Sequence, residues 1–331
     1  MESRKLISFG SSSYVISIPK AWVKKNKLEK GSPIYLSEKP DGLIISPSTE
    51  NKKQTKETQI DVSNKSIDRI KAEIVASYLN NYDIIEIRNA KEEDMQQIKG
   101  ILRDLAGLEI MEQTQTKIVV KDLINIKEVS IKTLIRRIDI IIRSMFDDLI
   151  AGTHGKMSNL LKSFYQRDID INRLYYLVRR VMTAALEDPT IRRMLETNSI
   201  ELVFDWEIAL RLEKIGDQLK RMAKRLNEVK LENRPHKYID CILGELCATY
   251  LNIMKAYYSK DKNIAFDVEL KNISRIQKCN DLLEHLEKHR EMDMHEADNL
   301  VILTEKFKDM SASIKNIARV VIDNGMTVHK P

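Results

Sequence analysis

The chain has 331 residues, of which 43% are hydrophobic and 31% charged, and carries a net charge of +6 at neutral pH. That length fits two or three domains with cores of their own, and ten glycines and seven prolines exclude collagen-like and low-complexity classes. No apolar run approaches the roughly 18 residues that span a bilayer, and the mild charge permits a polyanionic partner without demanding one. The opening MESRKLISFG lacks the apolar core of a secretory leader. Cys241, Cys247 and Cys279 are an odd set with no CxxC spacing. Reduced thiols in a cytoplasmic protein, without membrane insertion, are the expectation.

Pro19, Pro33, Pro40 and Pro47 all lie before residue 50 and punctuate short elements. Lys5–Ser8 and Tyr14–Ile18 read as strands around GSSS. Pro19 opens a short helix, since proline is tolerated in a first helical turn. Pro33–Ser37 and Leu43–Ser46 read as a hairpin around Pro40-Asp41-Gly42. So small a unit, residues 1–50, buries little alone and calls for a second copy. Residues 51–57 are polar and aperiodic and read as a linker. Over 58–127, Ile67, Ile70, Ile74 and Tyr78 mark one helix face, Asp83–Arg88 a strand, and Met95, Ile98, Ile101, Leu102 and Leu105 a second helix. Leu108–Glu112 and Lys117–Lys121 then pair, which makes a small α+β domain. From 128 to 331 the pattern is helical. Ile208, Leu212, Ile215, Leu219, Met222 and Leu226 step by four and three, as do Leu303, Phe307, Met310, Ile314, Ile317 and Val321. Such seams are bundle cores.

Both seams carry an E-K-x-x-D sequence. Glu213 and Asp217 lie four apart, as do Glu305 and Asp309. Residues at that spacing share a helix face, so each pair could clasp a cation, and without one the like charges repel. Solvated acids beside lysines are the plain alternative. Asp168/Asn172 and Gln277/Asp281 are weaker echoes, because an amide ligand adds no charge. At the N-terminus Arg4, Lys5, Lys20, Lys24, Lys25, Lys27 and Lys30 face only Glu2 and Glu29, with Ser11, Ser12, Ser13 and Tyr14 supplying hydroxyl groups. These side chains are the usual phosphate contacts of DNA binders, although a solvated charged face has the same composition. His285 and His289 stand four apart but do not form H-E-x-x-H. No P-loop, G-x-G-x-x-G or G-x-S-x-G occurs, so no enzymatic activity is expected.

The stretch RKLISFGSSSYVISIPKAWVKKNKLEKGSPIYLSEKPDGLIISP resembles the AbrB/SpoVT (MazE-like) swapped-hairpin DNA-binding domain. Its marks are G-x-S-S-Y-x-x-x-I-P-K-x-W, L-x-K-G-S and D-G-L-I-I-x-P. The resemblance implies an interlocked homodimer whose basic face docks on duplex DNA. Residues 128–325 resemble the PhoU family of phosphate-uptake regulators, through LEKIGDQLKRMA, with Gln218 where the family has His, and TEKFKDMSASIKNIA. RDIDINRLYYLVRR and RIQKCNDLLEHL are further matches, with Asn172 and Gln277 in place of acids. That resemblance implies a six-helix bundle of two three-helix repeats whose acid motifs hold divalent or trivalent metal ions of the Fe, Zn or Mg class.

Together these features predict a DNA-binding transcriptional regulator of phosphate uptake, with a bundle that senses metal, phosphate status or a partner. A different reading is an adaptor that uses the head only to dimerise while the bundle modulates a phosphate transporter ATPase or a signalling kinase. A metal-dependent hydrolase is disfavoured by the lack of a base beside the acid pairs.

Overall fold

In a computed structural model of the chain, the described residues are 3–39, 42–47, 55–154, 157–228, 235–288 and 294–327. The chain divides into two units, Met1–Thr55 and Lys56–Pro331.

The first unit holds two separate hairpins and one short helix. Strand β1 (Ile7–Phe9) pairs antiparallel with β2 (Ser13–Val15), Ile7 opposite Val15. Both strands are shorter than the sequence pattern predicts and lie closer to the turn. Phe9 already pairs with Ser13, and Gly10 makes the bend at φ 72°, a left-handed conformation that glycine adopts without a Cβ clash. Helix α1 (Lys20–Lys25) follows Pro19, whose carbonyl accepts from the Val23 amide. Strands β3 (Tyr35–Lys39) and β4 (Gly42–Ser46) form the second hairpin; its Pro40-Asp41 tip lies outside the described residues. No described side chain of this unit is buried. Phe9 is 71% exposed, Leu6 66% and Leu36 64%. Two-stranded hairpins are marginal in water without a surface to pack on.

The second unit begins with a four-stranded sheet in the order β5-β6-β8-β7. Strand β5 (Glu57–Asp61) runs parallel to β6 (Ile84–Arg88) through the crossover helix α2 (Ile67–Leu79). Helix α3 (Glu92–Arg103) precedes β7 (Leu108–Gln113) and β8 (Lys117–Asp122), an antiparallel hairpin that inserts β8 beside β6. Ser66 caps α2, its hydroxyl accepting from the Arg69 amide. Strand β5 starts at Glu57, the last residue of the stretch that composition marks as a linker, so that boundary alone is corrected; residues 51–54 of the stretch lie outside the described residues. The alternation of β5 is short, with only Ile60 and then Val62 turned inward. Ile70, Ile74 and Tyr78 of α2 and Ile98 of α3 close over Ile85, Ile87, Ile118 and Val120 to form the sheet core.

The helices follow: α4 (Ile131–Thr153), α5 (Leu161–Glu187), the short α6 (Pro189–Met194), α7 (Ser199–Glu228), α8 (Pro235–Ser259), α9 (Lys262–Leu270), α10 (Asn272–Lys288) and α11 (Met294–Thr327). The long helices make a six-helix bundle. One repeat is α4, α5 and α7; the other is α8, α10 with α9 ahead of it, and α11. The two seams read from the sequence are the bundle's centre, every residue of both being buried. They pack antiparallel, since Arg225 near the end of α7 donates to Asn299 near the start of α11. Asp188 accepts from the Thr190 amide to start α6 at Pro189.

Sheet and bundle meet at Arg180 of α5, which is fully buried. Its guanidinium pairs with Asp122 at the end of β8 and donates from Nε to Asn81 Oδ1 at 3.1 Å. It also lies 4.6 Å above the Tyr78 ring. Burial opposes the Arg180 charge, and the Asp122 contact outweighs burial and raises the pKa. Burial also pushes the Tyr78 phenol up to about 12.

Candidate functional site

Two groups of side chains were singled out by the sequence, one in each unit. In the head, Arg4, Lys5, Ser11, Ser12, Ser13 and Tyr14 are exposed, the serines and tyrosine in and beside the β1–β2 turn. Lys20, Lys24 and Lys25 project into solvent from α1, and Lys27 follows it at φ 53°. Lys20, Lys24, Lys25 and Lys27 make no salt bridge with any described residue. The geometry brings a helix of lysines and a hydroxyl-rich turn into one small unit whose apolar side chains stand open. It leaves cationic donors without a salt-bridge partner among the described residues, the state that a polyphosphate backbone would satisfy.

The acid pairs lie on the bundle. Glu213 and Asp217 sit on α7, Glu305 and Asp309 on α11; Glu213, Asp217 and Asp309 border one shallow cleft with Lys306, Gln218 and Arg221, and Glu305 is not part of its lining. Gly216, inside the first motif, is where α7 comes closest to α5: a Cβ there would lie 2.6 Å from the Ile171 side chain. Three of the four carboxylates, Asp217, Glu305 and Asp309, are matched to cations of the chain itself. Lys220 Nζ lies 2.7 Å from Asp168 Oδ2 and 2.9 Å from Asp217 Oδ1, bridging α5 and α7. Arg221 Nε is 2.6 Å from Asp217. Lys308 takes Glu305 and Lys306 takes Asp309, each at 2.8 Å.

The amide echoes serve the acids as donors. Asn172 Nδ2 points at Asp168 (3.4 Å) and Gln277 Nε2 at Asp281 (3.0 Å). Among the described residues no group of three or more His, Cys, Asp or Glu side chains could share a metal ion. His289 lies outside the described residues. A multinuclear cluster needs several anionic ligands converging on one point. Here an ammonium occupies that point in the first repeat, so the residues as arranged do not fit such a cluster.

Lys220 is one of the lysines that the sequence places beside the acid pairs as a bridging neighbour. Its signal was the residue three after Asp217, but its reach to Asp168 depends on how α5 packs. Burial opposes its charge; the hydrogen bonds to Asp168 and Asp217 overcome that and raise its pKa. Glu213 has no such partner. Burial raises its pKa, and the Asp217 and Asp168 charges raise it further.

The same sign of pH dependence follows from both groups, in two separate windows. The folded Glu213 holds its proton more tightly than the unfolded chain does, so stability falls as pH rises from the ordinary glutamate value of 4.5 through the raised folded value. Lys220 contributes stability fully below its ordinary 10.5 and loses it as pH rises through the raised folded value. Glu213→Gln should therefore stabilise the protein at pH 7, by less than about 1 kcal/mol, and flatten the stability profile between pH 4 and 7. Urea titrations of parent and variant at both pH values check this; a destabilised variant at pH 7 would contradict it.

Comparison with known proteins adds two findings. Residues 7–53 match the family model described as MazE antitoxin (antidote-toxin recognition MazE, bacterial antitoxin). The fold is similar to that of PhoU from Pseudomonas aeruginosa, with a TM-score of 0.51 and 15% identity over 58% of this chain and 93% of that one. No curated protein matches the sequence. No helix among the described residues is long and apolar enough to cross a membrane. The chain thus joins a MazE-like N-terminal segment and a small α+β sheet to a PhoU-like helical bundle.

Proposed function

We propose that this protein is a dimeric, DNA-binding transcriptional regulator of phosphate uptake or homeostasis, cytoplasmic and without enzymatic activity. One observation carries the reading: among its described residues the head has no buried side chain, yet presents both exposed apolar side chains and lysines without a salt bridge to any described residue. A second copy of the head would cover Phe9, Val15, Leu36 and Leu43, and duplex DNA would neutralise Lys20, Lys24, Lys25 and Lys27. The similarity of the bundle to PhoU supports the link to phosphate. A ligand or partner that favours one state of the bundle would then alter DNA affinity by linkage. Asp217, Glu305 and Asp309 enter this reading as members of internal ion pairs.

Duplex binding measured at several salt concentrations tests it. A steep fall in affinity with salt is expected, because phosphate contacts release counterions. No binding at low salt would overturn the regulator and favour the adaptor reading, in which the bundle acts on a transporter ATPase or kinase. The assembly has its own test. Removal of residues 1–55 should convert a dimer into a monomer with its helical circular dichroism intact, since the remaining unit has its own cores. Sedimentation of both chains at micromolar concentration reads this out, and an unchanged dimer would place the contact in the bundle.

A further inference from the structure

At one end of the bundle, the starts of α4 and α9 and the ends of α8 and α11 surround a cleft beside the first turns of α7. It has two lobes, of about 350 and 470 Å³, which share Tyr257, Lys260 and Asn324. Volumes of about 300–1,000 Å³ hold a whole organic molecule. The smaller lobe is edged by Lys132 and Arg136 in the first turns of α4, and neither makes a salt bridge with a described residue. Arg136 lies 4.9 Å over the Tyr258 ring, which fixes its guanidinium at the rim. The start of this 23-residue helix, where Ser130 caps the Thr133 amide, adds positive potential there. Asp205, 6% exposed, also lines this lobe. Its Oδ1 accepts from the Tyr257 hydroxyl at 2.7 Å, and Oδ2 has no hydrogen bond from any described residue. The larger lobe is bordered by Phe204 and Tyr257.

A cleft built this way has three chemical demands in line. The α4 rim wants an anion. The Asp205 carboxyl, which shares the smaller lobe with Glu201, can accept from a hydroxyl donor and would repel an anion set against it. The aromatic lobe wants a flat ring. Inorganic phosphate meets only the first.

We propose that the cleft binds a ribonucleoside phosphate, its phosphates on Lys132 and Arg136, a ribose hydroxyl donating to Asp205, and its base in the lobe of Phe204 and Tyr257. The site is separate from the head and does not rest on DNA binding.

Calorimetry and thermal unfolding of the full chain, without DNA, test this with ATP, GTP, 2′,3′-dideoxy-ATP and inorganic triphosphate. ATP or GTP should bind and raise the melting temperature. The dideoxy analogue should bind about tenfold more weakly, because Asp205 is left unpaired. The Lys132→Ala/Arg136→Ala variant should lose tenfold or more in affinity. Both residues are exposed, so its circular dichroism should match the parent. Asp205→Asn, which removes the charge and keeps an acceptor for Tyr257, should narrow the gap between ATP and its dideoxy analogue. No binding of ATP or GTP at millimolar concentration would overturn the proposal. So would affinity unchanged in the double variant, or triphosphate binding as tightly as ATP.

Discussion

Arg180→Ala should destabilise the protein by about 3–5 kcal/mol, the cost of leaving a buried carboxylate without its cation. That is a large share of the roughly 5–15 kcal/mol that holds a typical domain folded. The Asp122 side chain is 3% exposed and pairs with a guanidinium that is itself fully enclosed. Removing Arg180 also takes the donor from Asn81 and the cation from the face of Tyr78. Asp122 keeps one contact, the Ile124 amide on Oδ1 at 3.1 Å, which softens the loss without replacing the charge. These residues join β8, α2 and α5, so the sheet should loosen from the bundle before either core melts. Arg180→Met with Asp122→Asn removes both charges and should recover much of the loss, because Asn still accepts from Ile124 and no charge is stranded. A double-mutant cycle by urea unfolding gives the coupling. A cost below about 1 kcal/mol for Arg180→Ala would show that water reaches Asp122 and that the pair is not a buried pin.

Arg180 also shows where sequence reasoning stops. The seams at Ile208–Leu226 and Leu303–Val321 were legible because a helix core repeats every three to four residues, and all their members are buried. Strands β6 and β8 and helices α2 and α3 were legible for the same kind of reason. Strand β5 was not: it is an edge strand with a single inward isoleucine among polar residues, and its partner β6 lies beyond a whole helix. Arg180 sits in RDIDINRLYYLVRR as one arginine among several; only the docking of the sheet buries it. The acid pairs show the same division. Their spacing on one helix was readable, whereas the bridge from Lys220 to Asp168 crosses from α7 to α5 and depends on the close approach at Gly216. The cleft around Asp205 joins residues from five helices, with no local spacing to mark it. In the head, the lysines and the turn were plain in the sequence, and Lys27 carries a feature that was not, its left-handed backbone.

Replacing Lys20 and Lys24 with Ala and Lys27 with Asn should weaken duplex binding about equally for every DNA sequence. Asn is chosen at 27 because it tolerates the φ of 53° there, so the turn after α1 keeps its shape. Ala at 20 and 24 favours the helix it replaces lysine in. The three side chains have no salt bridge within the described chain to lose, so the folded head should be unchanged and the effect should fall on DNA alone. Each lysine that neutralises a phosphate adds about 0.9 to the slope of log affinity against log salt. If all three do so in each head, the slope should fall by about 2.7 per head engaged. The gap between parent and variant should narrow as salt rises, because the released counterions are the source of the difference. Sequence preference should survive the change, since phosphate contacts position the protein and base edges specify the site. Binding isotherms at four or five salt concentrations, on two unrelated duplexes, separate the alternatives. A parallel drop on both duplexes with a reduced slope fits lysines lying along the backbone. An unchanged slope would mean that the cluster is only a solvated face, and a loss confined to one duplex would move these lysines from the backbone to the base edges.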